Sequence, residues 1–240
     1  MKEAKLKVTL LSHTKDPERM IVAAIRQCYS PLSGKDLWDK VTDDQKARLI
    51  RQIISSGHTS TIEHATFSFA IEGVSRALTH QLVRHRLASY SQKSQRYVSE
   101  GGFEYILPPK IAAIPEAKKL YLAELQKIQE DYNKLIELGI PAEDARMLLP
   151  NACETKIVVT MNARALFNFF EERLCNRAQW EIRIMAGMML KELRKVAPLI
   201  FKYAGSTCTT EKICWQGKLH CGKPDKDKTI ELRERSSFIK

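Results

Sequence analysis

The sequence has no apolar run of about 18 residues, the length that a membrane-spanning helix requires. Its first 11 residues alternate and carry lysines, so they lack the continuous apolar stretch of a signal peptide. No G-x-G-x-x-G motif and no Walker loop occurs, which excludes the common signatures of Rossmann and P-loop nucleotide binding. Internal repeats and low-complexity stretches are also lacking. These absences predict a cytoplasmic globular protein outside those classes.

Acidic residues are missing from one segment of a basic chain. Lysine and arginine together number 39 and aspartate and glutamate 28, which gives a net charge of +11. Residues 75–99 contain five lysines and arginines and no acidic residue. A local excess of this kind favours a phosphate site over a diffusely basic surface.

Two other interpretations of residues 75–99 were weighed. A nucleic-acid-binding module predicts aromatic side chains between the basic ones, where they serve as stacking platforms. The segment contains only Tyr90 and Tyr97, so this interpretation is disfavoured and no nucleic-acid partner is predicted. A purely structural oligomer would leave the basic segment unexplained.

The length and composition are those of a globular protein with a real core. Apolar residues make up 44% and charged residues 28% of 240 residues, enough for one large domain or two small ones. From Gly205 onward the composition shifts to Lys, Thr, Gly and Asp. We predict a single catalytic domain over residues 1–204 and a basic, cysteine-containing tail, with little core of its own, over residues 205–240.

Hydrophobic periodicity predicts both strands and helices. Strands are predicted over residues 5–11, 65–71 and 156–161, with residues 97–106 extended. Helices are predicted over residues 18–29, 43–56, 75–88, 117–138, 140–149, from Asn162 or Ala163 onward, and 177–203. Gly57 and Gly139 are the expected stops of two helices. In the last helix, the predicted buried stripe is Ile184, Met188, Leu190, Leu193 and Ile200.

The predicted helix over residues 75–88 carries a candidate anion site. Gln81, Arg84 and His85 would share one face at spacings of three and four residues. Arg86 would point elsewhere, so Arg84 and Arg86 could hold two different anions through their planar guanidinium groups. A polar loop over residues 89–95 would follow, with glutamines able to read a base. Without further motifs, a solvated basic helix end explains the same residues.

Further motifs accompany Arg84-His85-Arg86. After seven more residues come Ser94 and then Arg96-Tyr97, and this spacing resembles the RHR-x7-S signature of flavin-dependent thymidylate synthases. Five other segments resemble motifs of that family in the family's order: Ala24–Ser30, Gly57–His64, Ala145–Pro150, Asn162–Arg173 and Ala178–Glu181. Together they span roughly residues 18–203.

The resemblance implies a fold and a reaction. The implied fold is α+β, with a small, mainly antiparallel sheet flanked by long helices. The implied reaction methylates dUMP to dTMP, with methylenetetrahydrofolate as the one-carbon donor and NADPH as the reductant acting through FAD. The resemblance also implies a homotetramer whose active sites lie where subunits meet.

The resemblance places ligands against particular residues. It implies FAD contacts from Ser60, Arg84, His85, Arg86, Gln92, Asn162, Ala163, Arg164 and Asn168. It implies dUMP contacts from Gln81, Arg84, Gln92, Lys93, Ser94, Gln95, Arg96, Arg146 and Arg173. Arg173 would be the catalytic residue, because its charge would stabilise the negative charge that develops on the uracil ring.

No protein nucleophile is expected. Ser94 has no histidine or carboxylate at a spacing that would deprotonate it, so it is interpreted as a ligand-binding residue. Cys153 lacks the Pro-Cys-His context of the flavin-free synthases. His58 and Glu63 are interpreted as structural residues that hold the FAD loop. Three positions depart from the family pattern: Ser60 replaces threonine, Ser91 replaces asparagine and Gln92 replaces glutamate.

The six cysteines predict no catalytic or metal site. Cys28, Cys153 and Cys175 lie in apolar segments and are interpreted as buried small residues. Three cysteines and one histidine of the tail could in principle form a zinc site: Cys208, Cys214, His220 and Cys221. Their spacing lacks a C-x2-C pair, and adjacent residues 220 and 221 fit tetrahedral coordination poorly. Reduced thiols, or one disulfide under oxidising handling, are the preferred interpretation, and no metal is predicted.

Overall fold

The structure is a computed structural model, which describes residues 1–222 and 231–232. The strands are β1 (Lys7–His13), β2 (Thr66–Ser75), β3 (Ser89–Gln92), β4 (Glu154–Asn162), β5 (Ile213–Cys214) and β6 (Glu231–Leu232). The α-helices are α1 (Pro17–Gln27), α2 (Gly34–Asp39), α3 (Asp43–Ser55), α4 (Arg76–Leu82), α5 (Pro109–Ala112), α6 (Pro115–Glu137), α7 (Ala142–Ala145), α8 (Ala163–Arg173), α9 (Trp180–Val196), α10 (Pro198–Phe201) and α11 (Thr207–Thr210). Short 3-10 helices cover Thr59–His64, Arg146–Leu148 and Gly217–Leu219.

The main sheet is antiparallel and has four strands in the order β1-β2-β4-β3. A two-stranded parallel sheet pairs β5 with β6, with Ile213 opposite Glu231 and Cys214 opposite Leu232. The α+β class and the small antiparallel sheet are therefore confirmed. Within the described ranges, no helix is long and apolar enough to cross a membrane.

Contacts divide the chain into two compact units, each built from separate stretches of sequence. Unit 1 comprises Met1–Val8, Ala70–Arg86 and Tyr90–Val159, and one of its core clusters contains Phe103, Tyr105, Leu125 and Cys153. Unit 2 comprises Thr9–Phe69, Leu87–Ser89 and the chain from Thr160 onward. In its core, Phe201 packs edge-on against Phe67, with ring centroids 5.2 Å apart.

Strand β2 has the predicted alternation. Phe67, Phe69 and Ile71 are buried, whereas Thr66 is exposed and Ser68 is half-buried. The strand runs on to Gly73, which has a φ of +66° and approaches the Lys5 carbonyl so closely that a Cβ would lie 2.0 Å from its oxygen. Only glycine fits there without strain.

Several helix boundaries follow local signals. A capping box of Thr42 and Gln45 begins α3, and the side chain of Asn162 accepts a hydrogen bond from Ala165 N at the start of α8. Gly57 and Gly139 both have positive φ angles, as expected of residues that stop a helix. The predicted helix over residues 140–149 is only α7 and a 3-10 turn.

The predicted helix over residues 75–88 is wrong in its second half. Ser75 caps the helix as expected, but α4 ends at Leu82. The hydroxyl of Tyr90 lies 2.8 Å from both the Leu82 and the His85 carbonyl oxygens and shares its one proton between them, while His85 N also donates to the Leu82 carbonyl at 3.1 Å. The predicted loop after it contains β3, and residues 97–106 are irregular except for two isolated bridges that Tyr105 forms with Glu3 and Cys153.

The predicted helix over residues 177–203 is two helices. Ala197 has a φ of −146°, and Pro198 begins α10 because proline fits the first turn of a helix. The predicted stripe is partly wrong. Ile184 is 49% exposed and the buried methionines are Met185 and Met189, although Leu190, Leu193 and Ile200 are buried as predicted.

In the stretch after Gly205, Ser206 and Cys214 are buried. The remainder of the predicted tail, residues 223–230 and 233–240, lies outside the described residues. The six cysteines also differ in environment. Cys153 is buried as predicted, but Cys28 is exposed and Cys175 only half-buried.

Candidate functional site

In unit 1, the run Arg84-His85-Arg86 lies in a turn rather than on a helix. Tyr90 fixes this turn through its two hydrogen bonds to carbonyls, and burial raises the pKa of the Tyr90 hydroxyl to about 12. The hydroxyl therefore stays a donor throughout the physiological range. Arg84 and Arg86 are exposed and His85 is half-buried, so the turn presents two cationic groups to a ligand. The predicted shared helical face of Gln81, Arg84 and His85 does not form.

Gln92 is anchored by hydroxyl groups of the same unit. Its amide nitrogen donates to Thr79 Oγ1 at 3.0 Å and to Thr155 Oγ1 at 3.2 Å. These bonds orient the side chain and leave its amide oxygen as the group that can accept a bond from a ligand. A neutral amide at this position adds no negative charge beside the basic residues.

Arg96 and Arg146 both bind Glu143 in unit 1. Arg96 Nε lies 2.5 Å from the Glu143 carboxylate, and Arg146 Nε donates to the Glu143 backbone oxygen at 3.0 Å. Ser94 lies close by in sequence, and its Oγ accepts a hydrogen bond from Arg96 N at 3.2 Å. Two guanidinium groups fixed on one residue provide planar donors for an anionic group.

Lys93 and Gln95 differ from their predicted orientation toward a ligand. Lys93 Nζ lies 2.9 Å from Glu100 and 3.4 Å from Glu154, two carboxylates that are almost fully buried. Desolvation lowers the pKa of Lys93, but the hydrogen bond and charge of Glu100, with those of Glu154, raise it by more. Gln95 is buried and donates to Cys153 Sγ at 3.4 Å. Both side chains thus contact buried residues and anchor the loop that follows β3.

Cys153 is unsuited to act as a nucleophile. Burial, together with the charge of Glu100, raises the pKa of its thiol to about 12. A thiol with so high a pKa is protonated at neutral pH and therefore unreactive. The absence of a protein nucleophile stays a prediction for the enzyme as a whole.

Unit 2 contains a cavity of about 930 Å³ beside α8. Arg164 and Asn168, one helical turn apart, both line it, as their spacing predicts. The rest of the wall is rich in hydroxyls and includes two aromatic rings: Ser55, Ser56, Thr59, Phe167, Tyr203, Thr209 and Thr210. The size is that of a pocket for a large organic ligand.

The other predicted FAD residues of unit 2 have varied surroundings. Ser60 is exposed in the 3-10 helix Thr59–His64. Asn162 uses its side-chain oxygen to cap α8, with the bond to Ala165 N at 2.8 Å. Ala163 is fully buried, so its side chain offers no ligand surface. Arg164 Nη1 lies 2.6 Å from the Glu63 carboxylate, and both side chains are exposed, so the role of Glu63 in holding the FAD loop stays a prediction.

Arg173 is the last residue of α8 and lines a second cavity of unit 2, of about 450 Å³. Its side chain is 18% exposed and lies 3.7 Å from the Glu172 carboxylate. Glu171 lines both cavities, and desolvation, with the charges of Glu211 and Glu172, raises the pKa of its carboxyl. A guanidinium partly removed from water exerts a strong field on a neighbouring ligand.

The sequence did not reveal the residues that contact and position the predicted ligand-binding residues. Tyr90, Thr79 and Glu143 contact the predicted ligand residues, yet each carries a common residue type with no motif around it. The one indication in the sequence was the lack of acidic residues in residues 75–99, because the cations of that segment can pair only with carboxylates elsewhere in the chain. No group of three or more potential metal ligands converges among residues 1–222.

The α+β fold presents exposed arginines in one unit and a hydroxyl-lined cavity in the other, and this combination suits a ligand that carries phosphate and ribose groups. Comparison with known families makes the assignment specific. Residues 9–199 match the family described as "Thymidylate synthase complementing protein", and the chain belongs to this family of flavin-dependent thymidylate synthases.

Individual relatives agree with this assignment. Flavin-dependent thymidylate synthases from Clostridium tetani and Geobacter sulfurreducens are 44% and 46% identical to the chain. The first alignment covers 95% of this chain and 97% of the relative, and the second covers 96% and 100%. The crystal structure of the UMP/dUMP methylase PolB from Streptomyces cacaoi, bound with 5-Br dUMP, is similar in fold. Its TM-score is 0.75 at 23% identity, over 84% of this chain and 96% of that one.

Proposed function

We propose that the residue sets described in the two units are the ligand-binding machinery of a flavin-dependent thymidylate synthase. The chain methylates dUMP to dTMP, with methylenetetrahydrofolate as the one-carbon donor and NADPH as the reductant. The observation that carries this function is the family match over residues 9–199. The chemistry supplied by bound FAD is the transfer of reducing equivalents from NADPH.

The cavity beside α8 fits part of FAD. Its hydroxyl groups suit a ribityl chain or ribose, its aromatic rings suit a flat ring system, and Arg164 suits a diphosphate. Asn168 adds a side chain that both donates and accepts hydrogen bonds. We assign Arg164 and Asn168 as the FAD-contacting side chains of unit 2, with Ser60 beside them. Asn162 and Ala163 support the site by starting α8.

The turn of unit 1 supplies the other predicted FAD contacts, Arg84, His85, Arg86 and Gln92. Its two exposed guanidinium groups suit phosphate oxygens, and the Gln92 amide oxygen suits a ring N–H group. FAD residues are thus proposed in both units. We also propose the homotetramer that the family resemblance implies.

Arg96 and Arg146 fit the phosphate of dUMP, with Ser94 as a third donor. Their shared partner, Glu143, keeps both guanidinium groups oriented before the ligand arrives, which reduces the entropy lost on binding. Gln81 and Gln92 are the amides available to the nucleotide. Lys93 and Gln95 contribute indirectly, because their side chains are held by Glu100, Glu154 and Cys153.

Arg173 is the proposed catalytic residue. Its fixed positive charge beside the uracil would stabilise the negative charge that develops at N3 and the adjacent carbonyl, and would so favour reaction of the ring with an electrophile. This electrostatic activation requires no attack by Ser94 or Cys153. The protonated state of the Cys153 thiol is consistent with that chemistry.

The reaction can be tested directly with the purified full-length chain. The protein should show a flavin absorption spectrum and should form dTMP only when dUMP, methylenetetrahydrofolate and NADPH are all present. Omission of each compound in turn is the control. A protein that neither takes up FAD nor oxidises NADPH in the presence of dUMP would contradict the proposal.

Oligomeric state and location belong to the same proposal. We expect light scattering of the holoenzyme to give four times the chain mass of 27.5 kDa. We also propose that residues 1–204 act as one catalytic domain and that the enzyme is cytoplasmic, where its nucleotide and folate substrates are made. A monomeric holoenzyme with full activity would contradict the shared-site arrangement.

A further inference from the structure

Four of the six cysteines line one small cavity of unit 2. They are Cys175, Cys208, Cys214 and Cys221. Cys175 follows α8 in the chain, and the other three come from residues 207–222. The cavity has a volume of about 110 Å³, too small for an organic cofactor but ample for an ion.

We propose that these four cysteines form a structural zinc site. Four cysteine sulfurs satisfy the tetrahedral coordination of structural zinc, and sulfur ligands favour Zn²⁺ over Mg²⁺ and Ca²⁺. Among residues 1–222, no three potential ligands yet stand at metal-binding positions. Zinc binding would require the thiols to turn inward from the cavity wall, to the usual Zn–S distance of about 2.3 Å. Each coordinating thiol gives up its proton to solvent, and its sulfur lone pair forms the bond to zinc.

Polar groups of the cavity wall lie close to two of the sulfurs. Asn176 Nδ2 donates to Cys221 Sγ at 3.6 Å, and Ser206 Oγ lies 3.4 Å from Cys208 Sγ. Among the described residues that line the cavity, Arg177 is the one with a charged side chain. Hydrogen bonds to ligand atoms are typical of the shell around a metal site.

The local chain has little else to stabilise it. Residues 205–222 contain a four-residue helix, a two-residue strand and a three-residue 3-10 turn. Segments with so small a core are commonly stabilised by a metal or by disulfides. None of the six cysteines, all of which lie within residues 1–222, is in a disulfide. A zinc ion would join this segment to the turn that follows Arg173.

Cys175 is the ligand that sequence spacing did not reveal. The candidate set from the tail alone contained His220 as the fourth ligand, next to Cys221. In the structure, His220 Nδ1 accepts a hydrogen bond from Gly222 N at 3.1 Å, and His220 does not line the cavity. With Cys175 as the fourth ligand instead of His220, no two proposed ligands are adjacent in sequence, because Cys175 comes from a distant part of the chain.

Metal analysis of the full-length chain tests the site. The protein is expressed with added zinc, purified without a metal-affinity step, and analysed for zinc and FAD in the same sample. We expect one zinc per chain, whose release by a mercurial reagent accompanies the titration of four thiols. Cys175→Ser and Cys208→Ser should each lose most of the zinc. Cys28→Ser, at an exposed position away from the cavity, should keep it.

Cobalt substitution provides a readout that does not depend on the serine variants folding. Cobalt bound by the unmodified chain should give strong thiolate charge-transfer absorption and the visible bands of a tetrahedral site. The proposal is overturned if FAD-loaded protein binds no stoichiometric zinc after zinc addition. It is equally overturned if both cavity variants bind as much zinc as Cys28→Ser, or if two of the four cysteines form a disulfide in reduced, zinc-supplied protein. FAD content separates these outcomes from a failure of the proposed enzyme function.

Discussion

The two units position their functional side chains by different means. In unit 2, Arg164, Asn168 and Arg173 all project from one regular helix, α8. In unit 1, Lys93 and Arg96 lie outside regular elements and are positioned by carboxylates distant in sequence, Lys93 by Glu154 and Arg96 by Glu143. A helical set is defined by local spacing, whereas a network of ion pairs is defined only once the chain has folded.

The largest effect on the reaction is expected at the end of α8. Arg173→Ala should reduce kcat/KM for dTMP formation by about 10²–10³-fold, the usual cost of removing one preorganised electrostatic group. FAD content should be unchanged, because the proposed role concerns the uracil and not the cofactor. The kcat/KM of Arg173→Lys, which keeps the charge but not the planar guanidinium, should lie between those of Arg173→Ala and the parent. Near-full activity of Arg173→Ala, measured in steady-state kinetics, would disprove the activating role.

The network of unit 1 can be broken at Lys93. Lys93→Met leaves Glu100 and Glu154 buried without their cation and should lower the free energy of unfolding by about 3 kcal/mol. This is the low end of the usual range because Lys93 is 21% exposed. Urea denaturation at neutral pH measures the loss. Equal midpoints for variant and parent would show that the network contributes no stability.

The same network predicts a pH dependence. The pKa of Lys93 is raised in the folded protein, so its stabilisation is fully present below the unfolded pKa of about 10.4. The stabilisation is lost as the pH rises through the higher folded pKa. Parent and Lys93→Met should therefore converge in stability in strongly alkaline urea titrations. A difference that grows with pH would contradict the sign of this shift.

The arginine pair of unit 1 should affect substrate binding more than chemistry. Arg96→Ala removes a charged hydrogen-bond donor worth about 1.5–3 kcal/mol, so the KM for dUMP should rise about 10–100-fold with a smaller change in kcat. Arg51→Ala, at an exposed position of α3, is the matched arginine control and should leave KM unchanged. An unchanged KM in Arg96→Ala would remove Arg96 from the proposed phosphate site.

The smallest effects test the ion pair on α8. Arg164→Ala should weaken FAD binding about tenfold by loss of a charged contact. Glu63→Gln breaks the same exposed ion pair from its other side and should change FAD affinity by threefold at most, since exposed pairs contribute about 1 kcal/mol or less. Titration of apoprotein with FAD, followed by flavin fluorescence, measures both. Equal weakening by the two variants would mean that Arg164 serves the ion pair and not the cofactor.

Sequence patterns predicted what local spacing determines. The alternation in β2, the Ser75 cap and the joint placement of Arg164 and Asn168 all follow from short-range rules and are confirmed. The end of α4 was mispredicted because the Tyr90 hydroxyl, eight residues from Leu82, takes the place of the next helical turn. No local rule describes such a bond.

Local rules also do not describe tertiary packing. In α9, Met185 and Met189 are buried where Ile184 and Met188 were predicted to be, whereas Leu190 and Leu193 are buried as predicted. Cys175 is distant in sequence from the tail cysteines, and only folding brings it to the cavity that they line. Candidate site residues that belong to sequence motifs could be predicted. Supporting residues outside those motifs, such as Glu143, could not.

The buried thiol of Cys153 has a consequence for inhibitor design. It is the one cysteine of unit 1, the unit that holds most of the predicted dUMP residues, and its pKa of about 12 keeps it protonated. A nucleotide analogue that works by capturing a catalytic sulfur would therefore have no covalent target among those residues. Selective inhibitors of this enzyme would need to compete for the arginines, or for the flavin cavity, through reversible contacts.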